Sequence, residues 1–203
     1  MAVNRISVVW AGSMGRHIAC AAALGGFETT IEDVRPRVLE QAMDWLRRTL
    51  DEGVAQGRIS VEEARRALAL LHAAGHMEEA ADADLVIEAG PEEMELKTEL
   101  FGMLDKFTRA RTILATSTRS LLVADMAAIT QRPERCIGMR FLEPALEARR
   151  LELVRAPETS EETVEACREV GRRMGKDVVT LDELPAAGGA NAPGARVERK
   201  PEL

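Results

Sequence analysis

The sequence is poor in aromatic residues, with two Trp, four Phe and no Tyr among 203 residues. Proteins that bind single-stranded nucleic acid commonly stack bases on aromatic rings, so this composition argues against that function. The chain also lacks a basic excess, because 27 Lys and Arg stand against 34 Asp and Glu, a formal net charge of −7. Surfaces for nucleic acid or anionic membranes need such an excess. We therefore expect neither partner.

Cysteine and histidine are scarce as well, with three of each. The cysteines form no CxxC pair and their number is odd, so neither a disulfide scaffold nor a zinc site is predicted. His72 and His76 stand one helical turn apart, but we interpret them as surface residues and predict no metal. No apolar run reaches the roughly 18 residues of a membrane helix. The N-terminus has no signal-peptide pattern, so we expect a cytoplasmic protein.

Strand and helix patterns alternate along the chain, which is typical of βαβ units and a mainly parallel sheet. Ser60 and Glu63 form a capping-box pattern for a helix that runs to about Ala73. Thr159 and Glu162 form a second such pattern, for a helix to residue 174. The other predicted elements are strands at 5–9, 27–32, 84–89, 112–116, 136–141, 151–154 and 177–181, and helices at 13–24, from 36, 92–107 and 121–129.

The composition changes after residue 182. Residues 183–203 read ELPAAGGANAPGARVERKPEL and contain almost no bulky apolar side chain. Such a segment buries too little surface to offset the entropy of ordering it, so we predict a disordered tail. The expected fold is α/β, with a doubly wound, Rossmann-type, mainly parallel sheet formed as one domain by residues 1–182.

The first βα turn reads VVWAGSMG and follows the dinucleotide-binding pattern G-x-G-x-x-G. Gly12 and Gly15 match the second and third glycines, whereas Trp10 stands at the first. Asp33 ends the second strand, where a carboxylate accepts hydrogen bonds from the adenosine ribose and favours NAD over NADP. An indole at the first glycine crowds the space for adenosine and pyrophosphate unless the side chain turns into the core.

Six segments in this order resemble the NAD-binding domain of the L-3-hydroxyacyl-CoA dehydrogenase family over residues 4–182: VVWAGSMGRHIA, TIEDV, ADADLVIEAGPEEMELKTELF, TILATSTRSL, RPERCIGMRFLEP and LELVRAPETSEETVEA. The resemblance implies NAD as cofactor, an acyl-CoA-type ligand, and oxidation of a 3-hydroxyacyl-CoA to the 3-ketoacyl-CoA. Family members carry a further helical domain with dimer contacts, which we do not find here, so we expect a monomer or weak oligomer. The positions that match the family's cofactor contacts are Ala11, Gly12, Ser13, Met14, Gly15, Asp33, Ala89, Glu92 and Lys97.

The resemblance fails at the catalytic positions. The family has HFFNP where this chain has RFLEP, so Arg140 replaces the catalytic histidine and Glu143 replaces the asparagine. Arg119 replaces a serine that binds substrate and cofactor, whereas Glu152 matches the glutamate that orients the histidine. A guanidinium stays protonated, so it cannot accept the proton that a hydroxyl loses as hydride leaves.

Three functions remain open on this sequence. The first is a dehydrogenase with residual activity that uses Glu152 or Glu143 as base. The second is a non-catalytic nucleotide-binding or interaction domain, and the third is a half-enzyme that needs a separate helical domain. We expect Arg140 to form an ion pair with Glu152, twelve residues later, or to be held by Glu143. Weak or absent turnover is the expected outcome.

Overall fold

The structure is a computed structural model that describes residues 2–183. In this part of the chain, the strands are β1 (Arg5–Val9), β2 (Glu28–Glu32), β3 (Leu71–Ala74), β4 (Leu85–Glu88), β5 (Ile113–Thr116), β6 (Cys136–Phe141), β7 (Arg150–Arg155) and β8 (Asp177–Asp182). The α-helices are α1 (Ser13–Leu24), α2 (Pro36–Ala55), α3 (Val61–Ala69), α4 (Met94–Phe107), α5 (Val123–Ala127) and α6 (Glu161–Arg173). Two short 3₁₀ helices cover Met77–Asp82 and Pro133–Arg135.

The strands form one sheet in the order β3-β2-β1-β4-β5-β6-β7-β8. All neighbouring strands run parallel except β6 and β7, which are antiparallel. From β1 the chain winds outward through β2 to β3, then crosses to β4 on the other side of β1. The carboxyl ends of β1 and β4 therefore form a topological switch point, which is where open α/β sheets bind ligands.

Helices cover both faces of the sheet. The apolar faces of α1, α2, α3 and α6 share one large core cluster, with Ile18 and Leu46 at 0% exposure. On the other face, α4 and α5 enclose a second cluster around Phe101 and Met126. The central strands β4 and β5 are buried along their whole length, as expected for parallel strands covered on both sides. The predicted α/β class and doubly wound sheet are confirmed.

One predicted element is wrong. The helix that begins after Ser60 does not reach Ala73, because α3 ends at Ala69 and β3 follows at the edge of the sheet. The sequence LHAA carries no strand pattern of its own. Pairing with β2 fixes its conformation instead, beginning with the N–H of Thr29, which donates to the carbonyl oxygen of Leu70 at 2.8 Å.

Both predicted helix caps exist, although one lies a residue later than expected. The Ser60 hydroxyl accepts the N–H of Glu63, and the Glu63 carboxylate accepts the N–H of Ser60, which completes a capping box. At α6 the N-cap is Ser160 rather than Thr159, and its hydroxyl accepts the N–H of Thr163. Thr159 is buried and donates its hydroxyl to a backbone carbonyl of β6, so it is not free to cap the helix.

Glu183, which the composition places in the tail, still contacts the domain. Its carboxylate accepts the N–H groups of Val123 and Ala124 at the start of α5. The predicted disorder of residues 184–203 lies outside the described residues. Within residues 2–183, no helix is both long enough and apolar enough to cross a membrane.

Candidate functional site

The site predicted from the sequence lies at the end of the sheet where the carboxyl ends of the parallel strands meet. Parallel strands end at the same edge, so the loops after β1, β2, β4, β5 and β6 meet there. The antiparallel strand β7 begins at this edge. The predicted cofactor residues lie within these loops or in the first helical turns next to them, whereas Arg140 and Glu152 lie on the ends of β6 and β7 at the same side. The structure therefore places the predicted residues along the carboxyl ends of the parallel strands.

The backbone turns sharply at Trp10, whose φ is 87°. Within residues 2–183 it is the only non-glycine residue with a positive φ, a conformation that is strained for a bulky side chain. A Cβ at Gly15 would lie 1.9 Å from the carbonyl oxygen of Trp10, so only glycine lets α1 begin this close to β1. The turn thus has the close helix–strand packing of a dinucleotide turn, although Trp10 stands at the first glycine.

The N-terminus of α1 is open. Gly12 is its N-cap, no side chain caps the helix, and its first turn contains no acidic residue. A Cβ at Gly12 would meet only Cδ1 of Trp10 within 4 Å, at 3.6 Å. Ser13 and Met14 supply the next N–H groups, which a helix leaves without carbonyl partners. This arrangement fits the pyrophosphate of a dinucleotide.

The indole of Trp10 lies across the switch point and is only partly buried. Part of the ring packs against the core cluster under α4. A Cβ at Gly90, in the loop after β4, would lie 3.3 Å from the ring. The guanidinium carbon of Arg35 lies 5.2 Å from the ring centroid. The indole is therefore neither withdrawn into the core nor free in solvent, and it occupies space next to the predicted adenosine position.

Asp33, at the end of β2, accepts hydrogen bonds from four donors. Arg35 donates its backbone N–H and its Nε to Oδ1, at 3.0 and 2.8 Å, and its Nη2 to Oδ2 at 2.9 Å. The N–H of Ala11 donates to Oδ2 at 3.1 Å. Burial raises the pKa of Asp33, but these hydrogen bonds outweigh burial and hold the pKa below its usual value. Asp33 is therefore a fixed anion that connects the second loop to the first.

Glu32 is a buried acid to which the sequence assigned no role. Its Oε1 has no hydrogen-bond partner among the described residues. Burial raises its pKa to about 7, and the nearby carboxylates of Asp33, Glu78 and Glu79 add to the shift. Two of these acids belong to the 3₁₀ helix Met77–Asp82, which the sequence pattern does not predict.

The loop after β4 is held by a buried ion pair. Nζ of Lys97, on α4, donates to the two carboxylate oxygens of Glu88 at 2.9 and 2.7 Å and to the carbonyl oxygen of Gly90 at 3.2 Å. The hydroxyl of Thr116 donates to the same carboxylate at 2.7 Å. Ala89 is buried and pairs through its N–H with β1. All three ammonium protons of Lys97 are engaged, and its contact with a cofactor stays a prediction.

Glu92 organises the turn after β5. One of its oxygens accepts the hydroxyl of Thr118 at 2.6 Å and the N–H groups of Arg119 and Ser120, each at 2.9 Å. The Ser120 hydroxyl adds a fourth bond at 3.0 Å. Partial burial raises the pKa of Glu92, but these bonds together lower it to about 2. Glu92 thus joins the loops after β4 and β5.

Arg140 and Glu152 lie directly opposite each other in the antiparallel pair of β6 and β7. Nη1 of Arg140 is 3.3 Å from Oε2 of Glu152, which confirms the predicted ion pair. Arg150, which the sequence did not single out, places Nη2 2.8 Å from Oε1 of the same carboxylate. Nε of Arg140 also donates to the carbonyl oxygen of Thr118 at 3.3 Å. Two guanidinium groups therefore occupy both oxygens of Glu152.

The side chains of Arg119 and Glu143 are exposed. Neither makes an ion pair with another of residues 2–183. The alternative pairing of Arg140 with Glu143 is wrong, because Glu143 lies in the loop beyond β6 whereas strand register places Glu152 opposite Arg140. No group of three metal-binding side chains occurs in the described part of the chain.

Comparisons with known proteins agree with this geometry. The family model described as 3-hydroxyacyl-CoA dehydrogenase, NAD binding domain, matches residues 5–184. A probable 3-hydroxybutyryl-CoA dehydrogenase of Bacillus subtilis is 37% identical over 185 residues, which are 91% of this chain and 64% of the relative. A 3-hydroxybutyryl-CoA dehydrogenase of Bradyrhizobium diazoefficiens is 34% identical over 184 residues, which are 91% of this chain and 63% of the relative. The chain thus spans slightly less than two thirds of these relatives.

Solved structures agree as well. The crystal structure of 3-hydroxybutyryl-CoA dehydrogenase from Escherichia coli K12 superposes with a TM-score of 0.87 at 32% identity, over 90% of this chain and 39% of that one. The crystal structure of (S)-3-hydroxybutyryl-CoA dehydrogenase PaaH1 from Ralstonia eutropha superposes with a TM-score of 0.87 at 27% identity. The match covers 91% of this chain and 65% of that one. The chain therefore belongs to the family of 3-hydroxyacyl-CoA dehydrogenase NAD-binding domains.

Proposed function

We propose that this chain binds NAD(H) and an acyl-CoA-type ligand, and that it turns over 3-hydroxyacyl-CoA weakly or not at all. The observation that carries the proposal is Arg140 at the position of the family's catalytic histidine. Together with Arg150 it occupies both oxygens of Glu152, the carboxylate that otherwise orients the histidine. The names of the relatives, hydroxybutyryl-CoA dehydrogenases, support the class of ligand.

The first turn supplies the groups that would hold the cofactor. Its pyrophosphate would bind to the open N-terminus of α1 at Gly12, where Gly15 keeps helix and strand close together. Asp33 lies toward the adenosine end, and Glu92 lies at the loop toward the nicotinamide end. When bound, NAD supplies the acceptor for a hydride.

Oxidation of a hydroxyl also needs a group that accepts its proton. Arg140 cannot accept one, because a guanidinium remains protonated in proteins. Glu152 is 13% exposed and already accepts from two guanidinium groups. Glu143 is the remaining carboxylate at these positions, and it is exposed in the loop after β6. Glu143 is therefore the group to test if any turnover is found.

A second candidate is a half-enzyme that works with a separate helical domain. The observation behind it is that this chain matches 64% and 63% of two relatives that are named as dehydrogenases. In that arrangement the chain alone is inactive, whereas addition of the helical domain of a relative restores activity. The discriminating residue is Glu143, because Glu143→Gln would then abolish the restored activity.

The test combines calorimetric titration with NADH and NAD and a steady-state assay with acetoacetyl-CoA or 3-hydroxybutyryl-CoA. We expect binding of the dinucleotide and turnover near background. Arg140→His is expected to recover little activity, because Arg119, Glu143 and Arg150 remain in place. Robust turnover by the unaltered chain alone would overturn the proposal.

A further inference from the structure

Asp33 has no free acceptor while Arg35 is in place. A carboxylate offers about four lone-pair positions. The four hydrogen bonds to Asp33, three from Arg35 and one from the N–H of Ala11, occupy all of them. The side chain of Asp33 is only 2% exposed. A ribose 2′-hydroxyl that needs this carboxylate as its acceptor therefore meets an occupied group.

The ribose would meet the guanidinium of Arg35 instead. This side chain is 53% exposed. It uses two of its five side-chain N–H bonds on Asp33, so three remain for a ligand. A planar set of N–H donors suits phosphate oxygens. The cation–π contact with Trp10, at 5.2 Å, favours a position of the guanidinium beside the first turn.

We propose that Arg35 sets the cofactor specificity of this site and makes the chain bind NADP(H) at least as tightly as NAD(H). The inference rests on the proposed function, because it requires a dinucleotide with its pyrophosphate at α1 and its adenosine at Asp33. A bare Asp33 would repel a 2′-phosphate. The charge of Arg35 cancels that of Asp33, and its remaining N–H groups provide the donors that a phosphate needs.

Calorimetric titration of the full chain tests the inference with four ligands: NADH, NADPH, adenosine 5′-monophosphate and adenosine 2′,5′-bisphosphate. The last two lack the nicotinamide and report on the adenosine end alone. We expect the dissociation constant of NADPH to equal or fall below that of NADH. The bisphosphate is expected to bind at least about tenfold more tightly than the monophosphate.

The decisive variant is Arg35→Gln, which removes the phosphate donors and frees acceptors on Asp33. Its affinity for NADPH should fall at least about tenfold while its affinity for NADH is retained or rises, so that the preference inverts. Arg35→Lys keeps the charge without the planar fork and should bind NADPH with intermediate affinity. Arg37→Gln is the matched control, because Arg37 is exposed at the start of α2 and has no ion pair within residues 2–183.

Four outcomes would overturn the inference. Tighter binding of NADH than of NADPH by the unaltered chain overturns it and leaves the proposed function intact. The inference also fails, with the proposed function intact, if Arg35→Gln weakens the binding of NADH and NADPH equally. It fails likewise if Arg35→Gln changes the affinity for NADPH no more than Arg37→Gln does. If circular dichroism shows that the chain is folded and neither dinucleotide binds to it, the inference and the proposed function both fail.

Discussion

Lys97 and Glu88 form the only ion pair of residues 2–183 in which both side chains are wholly removed from solvent. The pair links α4 to the end of β4, and Thr116 of β5 donates to the same carboxylate. Its position directly beneath the loop at Gly90 makes it part of the floor of the candidate site. The surrounding structure must satisfy both charges, because water does not reach them.

Lys97→Met is therefore expected to destabilise the fold by about 3 to 5 kcal/mol, since it leaves the Glu88 carboxylate buried without a counter-ion. Urea unfolding followed by circular dichroism measures the change. Lys106→Met removes the same charge from an exposed position at the end of α4 and should change stability by less than about 0.5 kcal/mol. Equal effects of the two variants would contradict the structural role of the pair.

Gly15 and Gly12 allow a matched test of the first turn. Gly15→Ala places a Cβ 1.9 Å from the Trp10 carbonyl oxygen, so the helix must move, at a cost of about 1 to 3 kcal/mol. Gly12→Ala meets no atom closer than 3.6 Å and should change stability much less. Both variants are expected to weaken NADH binding, because each adds a side chain at the pyrophosphate turn. Unfolding curves that do not separate the two variants would show that α1 does not pack as described.

Trp10→Gly is expected to strengthen binding of the dinucleotide. The change removes the indole from the space next to Asp33 and replaces a strained positive φ with one that glycine adopts freely. A gain of about 1.4 kcal/mol, a factor of ten in the dissociation constant of NADH, is the expected scale. Trp45→Gly, which changes the other tryptophan, should leave this affinity unchanged. Unaltered or weaker binding by Trp10→Gly would show that the indole does not obstruct the site.

Glu32 is expected to make stability depend on pH. Its pKa is about 7 in the folded protein against an ordinary value of 4.5. Between these values the folded chain keeps a proton that the unfolded chain has lost, so the free energy of unfolding falls as pH rises, and the loss is complete above pH 7. We expect a fall of about 3 kcal/mol, which Glu32→Gln should remove.

The measurement is urea unfolding at a series of pH values from below 4.5 to above 7. Glu40→Gln, an exposed change on α2, should follow the unaltered chain across the series. If the free energy of unfolding depends on pH in the same way for Glu32→Gln and for the unaltered chain, the raised pKa of Glu32 is contradicted.

Much of the fold could be predicted because its signals are local. The apolar run of β4 depends on neighbours in the chain, and the strand is confirmed. The spacing of Gly12 and Gly15 is just as local, and the role of both residues in cofactor binding stays a prediction. The strand β3 could not be predicted, because only pairing with β2 makes LHAA extended. In the same way, part of the rise in the pKa of Glu32 comes from carboxylates of a 3₁₀ helix more than 40 residues later.

The candidate site, too, could be predicted from the sequence only in part. The pairing of Arg140 with Glu152 could be anticipated from the family resemblance, which implies that these two positions face each other on neighbouring strands, and the strand register bears it out. Arg150 was missed because strand alternation alone does not reveal that a second guanidinium reaches the same carboxylate. The spacing of Asp33 likewise predicts an accessible acceptor, whereas the folded chain turns Arg35 back onto it.

Glu92 gives the turn after β5 a shape that does not depend on the side chain at position 119. The turn is fixed through backbone N–H groups and through the hydroxyls of Thr118 and Ser120, all of which bind one carboxylate oxygen. Any residue with a backbone N–H, which excludes only proline, can therefore occupy position 119 without a change in the turn. The backbone of this turn can therefore stay the same whether position 119 carries a serine or, as here, an arginine.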